Sequence, residues 1–136
     1  MPPKPPAICI IGPTAIGKTS LAIELYEQGQ PIDIISVDSA MVYRGLNIGS
    51  GKPTKEILDK IPHGLVDIRE PYEVYTVADF YQDAIKLAKQ SHCRGRIPCF
   101  VGGTMMYFNA LFKGLAKLPA SDPAIRAQIC HEIQVQ

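Results

Sequence analysis

The sequence lacks tryptophan, has almost no net charge and contains no apolar run long enough to cross a membrane. Its 14 lysine and arginine residues nearly balance 13 aspartate and glutamate residues, so bulk charge gives no sign of a nucleic-acid-binding protein. The four cysteines form no CxxC pair, which argues against a disulfide scaffold and against a zinc site. No signal-peptide core precedes the first predicted strand, so we expect a cytoplasmic protein with no membrane partner.

A chain of 136 residues allows one ordinary domain. With 46% hydrophobic and 20% charged residues, its composition is typical of a globular protein and excludes an intrinsically disordered one. Residues 1–6, with the sequence MPPKPP, indicate a flexible proline-rich leader, because proline cannot donate hydrogen bonds to a sheet. The folded core is therefore expected to begin at residue 7.

Apolar runs of strand length alternate with segments of helical periodicity along the chain. Strands are predicted at 7–11, 32–37, 65–68 and 97–101. Helices are predicted from Lys18 to a stop near Gly29, over 54–60, from the N-cap Thr76 with Asp79 as its capping-box partner, from 105 to a stop at Gly114, and after Asp122-Pro123. This alternation predicts an α/β fold with a mainly parallel sheet, in which functional residues collect at the carboxyl ends of the strands.

The strongest motif lies between the first predicted strand and the first predicted helix. Its sequence, GPTAIGKT over 12–19, matches the phosphate-loop pattern GxxxxGK(S/T) in the strand–loop–helix context that this pattern requires. The glycines let backbone N–H groups face a phosphate, Lys18 supplies positive charge, and the Thr19 hydroxyl is placed to hold Mg²⁺. The predicted phosphate-binding residues are Gly12, Pro13, Thr14, Ala15, Ile16, Gly17, Lys18 and Thr19.

A phosphate loop does not name a reaction, because ATPases, GTPases, small-molecule kinases and some transferases share it. The fourth predicted strand ends in Gly102-Gly103-Thr104 instead of the acid that a motor-type ATPase uses to hold magnesium. Asp38, at the end of the second strand, is either a general base for a bound acceptor or an aspartate that caps a turn. Thr104 is either the N-cap of its helix or a hydroxyl that also contacts a ligand, and these roles are compatible.

Six segments together resemble the tRNA dimethylallyltransferase family in their order and spacing: 12–19, 38–43, 47–53, 66–68, 77–80 and 101–107. The resemblance covers nearly the whole chain and implies a P-loop NTPase-like, three-layer α/β fold. It also implies a prenyltransferase that moves a dimethylallyl group from dimethylallyl diphosphate to N6 of adenosine 37 in tRNA. Mg²⁺ is the implied cofactor, and the anticodon stem-loop of tRNA is the implied partner.

The same resemblance implies roles for individual residues. The phosphate loop holds the diphosphate leaving group, with Lys18 and Thr19 as catalytic residues, Thr19 as the metal ligand and Asp38 as the general base. Ile16 stands where the family usually has serine, which removes a hydroxyl but keeps the backbone donor. Contacts with tRNA are implied for Asp38, Ser39, Ala40, Met41, Thr104 and Arg126.

Members of this family are longer than this chain and carry a helical insertion domain, so the resemblance implies a fragment. Its P-loop core is expected over 7–118, and residues 119–136 are expected to begin the insertion domain, which is otherwise absent. The fragment would hold the diphosphate site and the general base of a monomeric parent enzyme. Two alternatives stay open, a P-loop small-molecule or nucleotide kinase and a phosphate-binding module without turnover.

Overall fold

In the computed structural model, strands and helices alternate along the chain. The structure describes residues 6–13, 17–45 and 51–117. Its elements are β1 (Ile8–Ile11), α1 (Lys18–Glu27), β2 (Ile32–Val37), α2 (Lys55–Lys60), β3 (His63–Gly64), α3 (Val77–Cys93), β4 (Ile97–Gly102) and α4 (Met105–Lys117). Residues 1–5 of the predicted leader over 1–6, the expected start of the insertion domain over 119–136 and the helix predicted after Asp122 lie outside the described residues.

The four strands form one parallel sheet in the order β1-β4-β2-β3. β4 lies between β1 and β2, and its last residue, Gly102, pairs with Ile11 of β1 and with Val37 of β2. Three strands therefore end side by side at one edge of the sheet. The loops that follow them emerge at the same place, as the sequence predicts for a parallel sheet.

Helices cover both faces of this sheet and bury two apolar clusters. On one face α1 contributes Ala22, which packs with inward-facing residues of β2 and β4: Ile32, Ile34, Cys99 and Val101. On the other face α3 and α4 contribute aromatic rings, and those of Phe80 and Tyr107 stack 4.2 Å apart. The three-layer α/β prediction is thus confirmed. None of the helices in the described ranges is long and apolar enough to span a membrane.

Two of the helix ends that the sequence predicts are present, the start of α3 and the end of α1. The Thr76 hydroxyl accepts a hydrogen bond from the Asp79 N–H at 3.1 Å, and the Asp79 carboxylate accepts one from the Thr76 N–H at 2.9 Å. These two bonds form the predicted capping box at the start of α3. α1 ends at Glu27, and the chain then turns at Gly29, whose φ of 86° suits glycine.

The first strand is less buried than the sequence indicates. A continuous apolar run predicts burial on both faces, but alternate residues of β1 are exposed, and Ile11 is 40% exposed. In the described part of the chain, β1 pairs only with β4 and forms an edge of the sheet. The apolar run therefore identifies the strand correctly but not its position in the sheet.

The third strand does not occupy 65–68, so that prediction is wrong. Only His63 and Gly64 pair with β2. Leu65 and Asp67 have φ values of 64° and 57°, in the left-handed region, and such a backbone cannot continue a strand. The chain turns here and pairs again further on, where Arg69 forms an isolated parallel bridge with Tyr43.

The predicted helix stop at Gly114 is also wrong, because α4 continues to Lys117. A Cβ placed on Gly114 would lie 2.0 Å from Cε2 of Tyr81 in α3. Glycine at this position lets the two helices approach closely and does not end the helix.

Gly102 supports a testable prediction about the sheet. A Cβ on Gly102 would lie 2.1 Å from the Val37 carbonyl oxygen, which belongs to the neighbouring backbone and cannot move without opening the β2–β4 pairing. We expect Gly102→Ala to lower the free energy of unfolding by about 3 kcal/mol, measured by urea denaturation. Gly64→Ala is the control, since its Cβ would meet the flexible end of Leu87 at 2.8 Å. Equal losses in the two variants would contradict this account.

Candidate functional site

A cavity of about 270 Å³ opens at the carboxyl edge of the sheet, between the start of α1 and the loops that follow β2 and β4. Gly17, Lys18, Thr19 and Ser20 line one side of it. The sheet supplies Ile34, Ser36, His63, Val101 and Gly102, and the surrounding loops supply Asp38, Met41, Gly51, Pro53 and Gly103. Residues that are far apart in the sequence, the phosphate-loop lysine and Asp38 among them, therefore share one cavity.

The start of α1 has features that favour an anion. Gly17 adopts the left-handed conformation with φ of 87°, and no side chain of the described residues caps the helix N-terminus. The first turn contains no acidic residue, so the N–H groups and the helix dipole there favour negative charge. Lys18 Nζ donates a hydrogen bond to the Pro13 carbonyl at 2.5 Å, which holds the ammonium group beside the loop. Thr14, Ala15 and Ile16 lie outside the described residues.

Glycines let the phosphate loop approach the end of β4. The Gly12 N–H donates to the Gly102 carbonyl at 3.3 Å. A Cβ on Gly103 would lie 2.7 Å from the Gly12 carbonyl oxygen, closer than a side chain allows. The Gly-Gly pair at the end of β4 therefore has a packing reason, because it lets Gly12 lie against that strand end.

Asp38 caps a turn, which is one of the two roles that its sequence position allows. Its Oδ1 accepts hydrogen bonds from the Ala40 N–H at 2.7 Å and from the Met41 N–H at 3.1 Å, as in an Asx turn. Within the described chain, Oδ2 has no hydrogen-bond partner. One carboxylate oxygen thus fixes the turn, and the residue itself lines the cavity.

Thr104 joins the loops that follow β2 and β4. Its hydroxyl accepts a hydrogen bond from the Ser39 N–H at 3.2 Å, and its own N–H donates to the Val37 carbonyl at 3.3 Å. Ser39, Ala40 and Met41 follow Asp38 directly, so all of these predicted contact residues lie at one edge of the sheet. Arg126 lies outside the described residues.

A protein-family model described as IPP transferase matches residues 41–136. The chain belongs to the IPP transferase family. A curated IPP transferase relative, the tRNA dimethylallyltransferase of Psychrobacter sp. (strain PRwf-1), is 52% identical over 129 residues. That match covers 95% of this chain but 35% of the relative, so the chain spans little more than a third of its length.

Solved IPP transferase structures share this fold. The full-length tRNA isopentenylpyrophosphate transferase from Bacillus halodurans matches 98% of this chain and 44% of its own, with 38% identity and a TM-score of 0.74. A eukaryotic dimethylallyltransferase acting on tRNA matches 79% of this chain and 27% of its own, with 30% identity and a TM-score of 0.71. These matches confirm the predicted family and its P-loop-like α/β fold.

His63 is a cavity residue of this IPP transferase chain that the sequence did not single out. Its Nδ1 lies 2.7 Å from the Ile61 carbonyl, which can only accept, so Nδ1 carries the proton. Nε2 is then the unprotonated nitrogen, and it is buried without a hydrogen-bond partner within the described chain. A single histidine after Pro62 carries no motif, and only the pairing of β3 with β2 brings it to the cavity.

The buried imidazole predicts a pH dependence of stability. Burial lowers the pKa of His63 in the folded chain, whereas the unfolded chain takes up a proton below about pH 6.5. Below that pH the unfolded state binds more protons, so the folded state loses up to about 1.4 kcal/mol per pH unit until the folded pKa is reached. Urea denaturation at about pH 7.5 and about pH 5.5 measures this loss, which His63→Gln should reduce. An unchanged loss in the variant would show that His63 is not its source.

Proposed function

We propose that this chain forms the donor site and supplies the general base of a tRNA dimethylallyltransferase. Such an enzyme transfers a dimethylallyl group from dimethylallyl diphosphate to N6 of adenosine 37 in tRNA. Family membership supports the proposal, as do the names of the relatives, which describe dimethylallyl or isopentenylpyrophosphate transfer to tRNA. The chain spans a minor part of those relatives, so the complete reaction is proposed for a longer protein.

The proposal rests on one observation, that a single cavity contains a helix start that favours anions, a carboxylate and apolar side chains. The start of α1 and Lys18 can bind a diphosphate, and the carboxylate of Asp38 can accept a proton. The apolar residues between them suit a short hydrocarbon chain: Ile34, Met41, Pro53 and Val101. A donor that carries a diphosphate on an apolar five-carbon group matches this combination.

The phosphate loop has the task of stabilising the leaving group. When the bond between the allylic carbon and the diphosphate oxygen breaks, the electron pair leaves with the diphosphate. Lys18 and the N–H groups at the start of α1 would bind the negative charge that develops there. The proposed phosphate-binding set is the whole loop, from Gly12 to Thr19.

Mg²⁺ fits the same place. The described residues contain no group of three or more His, Cys, Asp or Glu side chains that could hold a metal ion. Mg²⁺ commonly binds one or two protein oxygens and completes its shell with phosphate oxygens and water. The Thr19 hydroxyl would be its ligand from this chain, and the ion would neutralise charge on the diphosphate.

Asp38 has the task of removing a proton from the acceptor. Adenosine N6 forms a bond to the allylic carbon, and one N6 proton passes to Asp38 Oδ2. The adenine ring must leave the RNA stack to reach the cavity, because its N6 is otherwise enclosed by neighbouring nucleobases. The proposed contacts with tRNA are Asp38, Ser39, Ala40, Met41, Thr104 and Arg126, and the proposed location of the enzyme is the cytoplasm.

Donor binding tests the phosphate loop. Calorimetric titration of this chain with dimethylallyl diphosphate in Mg²⁺ should show binding, and Lys18→Ala should weaken it by about 10- to 100-fold because a charged hydrogen bond is lost. A parallel titration with ATP should show weaker binding. A preference for ATP would favour the kinase alternative and contradict the proposal.

Transfer tests Asp38. A hybrid in which this chain replaces the matching 129 residues of the Psychrobacter relative supplies the remaining length. We expect Asp38→Asn and Asp38→Ala each to slow single-turnover transfer to an anticodon stem-loop RNA by about 100-fold or more, with donor binding unchanged.

Asp38→Asn separates the role of Asp38 as a base from its role in the turn, which Asp38→Ala does not. The asparagine side-chain oxygen can still accept from the N–H groups of Ala40 and Met41, so the turn is kept while the basic oxygen is lost. If only Asp38→Ala slowed transfer, Asp38 would act through the turn and would not be the base. Donor binding without transfer by the unmodified hybrid would favour the phosphate-binding module.

A further inference from the structure

The loop that carries Asp38 is held by a second set of backbone hydrogen bonds, beyond the ends of β2 and β3. In this set, called here the outer ladder, residues 41–44 pair with residues 67–69. The Ile68 and Arg69 N–H groups both donate to the Val42 carbonyl at 2.9 Å, and the Arg44 N–H donates to the Arg69 carbonyl at 2.8 Å. The outer ladder extends the sheet past its edge, alongside the cavity.

Lys52 links the two sides of the outer ladder with one buried ammonium group. Its side chain is 2% exposed, and its Nζ donates to the Tyr43 carbonyl at 2.8 Å and to Asp67 Oδ1 at 2.5 Å. Burying an ammonium group is costly, and an apolar side chain of similar size often gives equal or better stability. The ion pair is therefore better explained by the geometry it imposes than by the stability it adds.

The segment that Lys52 holds has an unfavourable backbone conformation. Leu65 and Asp67 both have positive φ, which is uncommon for non-glycine residues and is less costly for aspartate than for leucine. Leu65 is held by its buried side chain, which is 4% exposed, and Asp67 is held by its ion pair to Lys52. Without Lys52, the turn at Asp67 loses a side-chain contact that keeps it in place.

A short chain of hydrogen bonds connects this segment to Asp38. The Asp67 N–H donates to the Met41 carbonyl at 3.0 Å, and the Met41 N–H donates to Asp38 Oδ1 at 3.1 Å. The Met41 backbone therefore belongs both to the outer ladder and to the Asp38 turn. A shift of Asp67 is transmitted to the carboxylate through one residue.

We propose that Lys52 is a positioning residue that holds the Asp38 carboxylate in place for proton acceptance, acting through Asp67 and the outer ladder. The inference rests on the proposed function of Asp38. Lys52 contacts Tyr43 and Asp67 and acts on the reaction only indirectly. Because small displacements of a reacting group cause large losses of rate, a shift of the Asp38 carboxylate would slow the transfer step.

Hydrogen exchange in the 136-residue chain tests whether Lys52 holds the turn. Lys52→Met keeps an unbranched apolar stem, and the carboxylate it leaves behind at Asp67 is 39% exposed and stays hydrated. We expect the amides of Ala40, Met41 and Asp67 to exchange at least about tenfold faster, with the β2 amides unchanged. Arg44→Met is the control, because it breaks an exposed ion pair to Glu70 beside the same ladder.

Transfer by the hybrid tests whether the position of the Asp38 carboxylate affects the reaction rate. Lys52→Met should slow single-turnover transfer at saturating donor and RNA by at least about tenfold, with the Kd for dimethylallyl diphosphate unchanged. Lys86→Met, an exposed change on α3, is the control for this measurement and should transfer at the unmodified rate.

The two measurements separate the possible failures. Unchanged exchange at Ala40 and Met41 in Lys52→Met would overturn the proposal. Faster exchange with an unchanged transfer rate would also overturn it, because the contact would then be structural only. If the unmodified hybrid failed to transfer, the proposed function would fall, and the exchange measurement would still decide whether Lys52 holds the Asp38 turn.

Discussion

The close approach of β2 and β4 at their carboxyl ends is the constraint on which the site depends. Val37 and Gly102 pair so tightly that the neighbouring carbonyl occupies the space of a Cβ on Gly102. Because the two strands end together, Asp38 and Thr104 begin their loops side by side, and the hydrogen bond from Ser39 to Thr104 joins those loops. β1 lies on the other side of β4 and brings the phosphate loop to the same edge.

The two ends of the sheet differ in how completely their charges are paired. Near the start of β2, Asp33 accepts hydrogen bonds from Ser91, Arg94 and Arg96 at 2.7–2.8 Å. Burial tends to raise the pKa of Asp33, but these hydrogen bonds and the two arginine charges outweigh it and lower the pKa. At the carboxyl edge, by contrast, the start of α1 has no side-chain cap and one oxygen of Asp38 makes no hydrogen bond within the described chain. The aspartate at one end of the sheet is thus fully paired, while the carboxyl edge keeps polar groups that no described side chain pairs.

Sequence patterns predicted most accurately the features that depend on residues close together in the sequence. The phosphate-loop motif, the bounds of β2 and the capping box of α3 all rest on residues within a few positions of one another. Prediction failed where a distant contact overrides the local preference. Leu65 and Asp67 look like strand residues but turn under the contacts made by the core and by Lys52, and Gly114 looks like a helix stop but makes room for Tyr81.

The sequence by itself determined the family and the alternation of strands and helices, because short spacings and chain order encode these features. Phosphate binding by the loop over 12–19 stays a prediction. The sequence indicated Asp38 as a candidate but left its role open. Only the tertiary structure decided that one oxygen of Asp38 forms the turn, that His63 lines the cavity, and that Lys52 joins the Asp38 loop to Asp67. These features depend on contacts between segments that are distant in the sequence, and such contacts exist only after the sheet has formed.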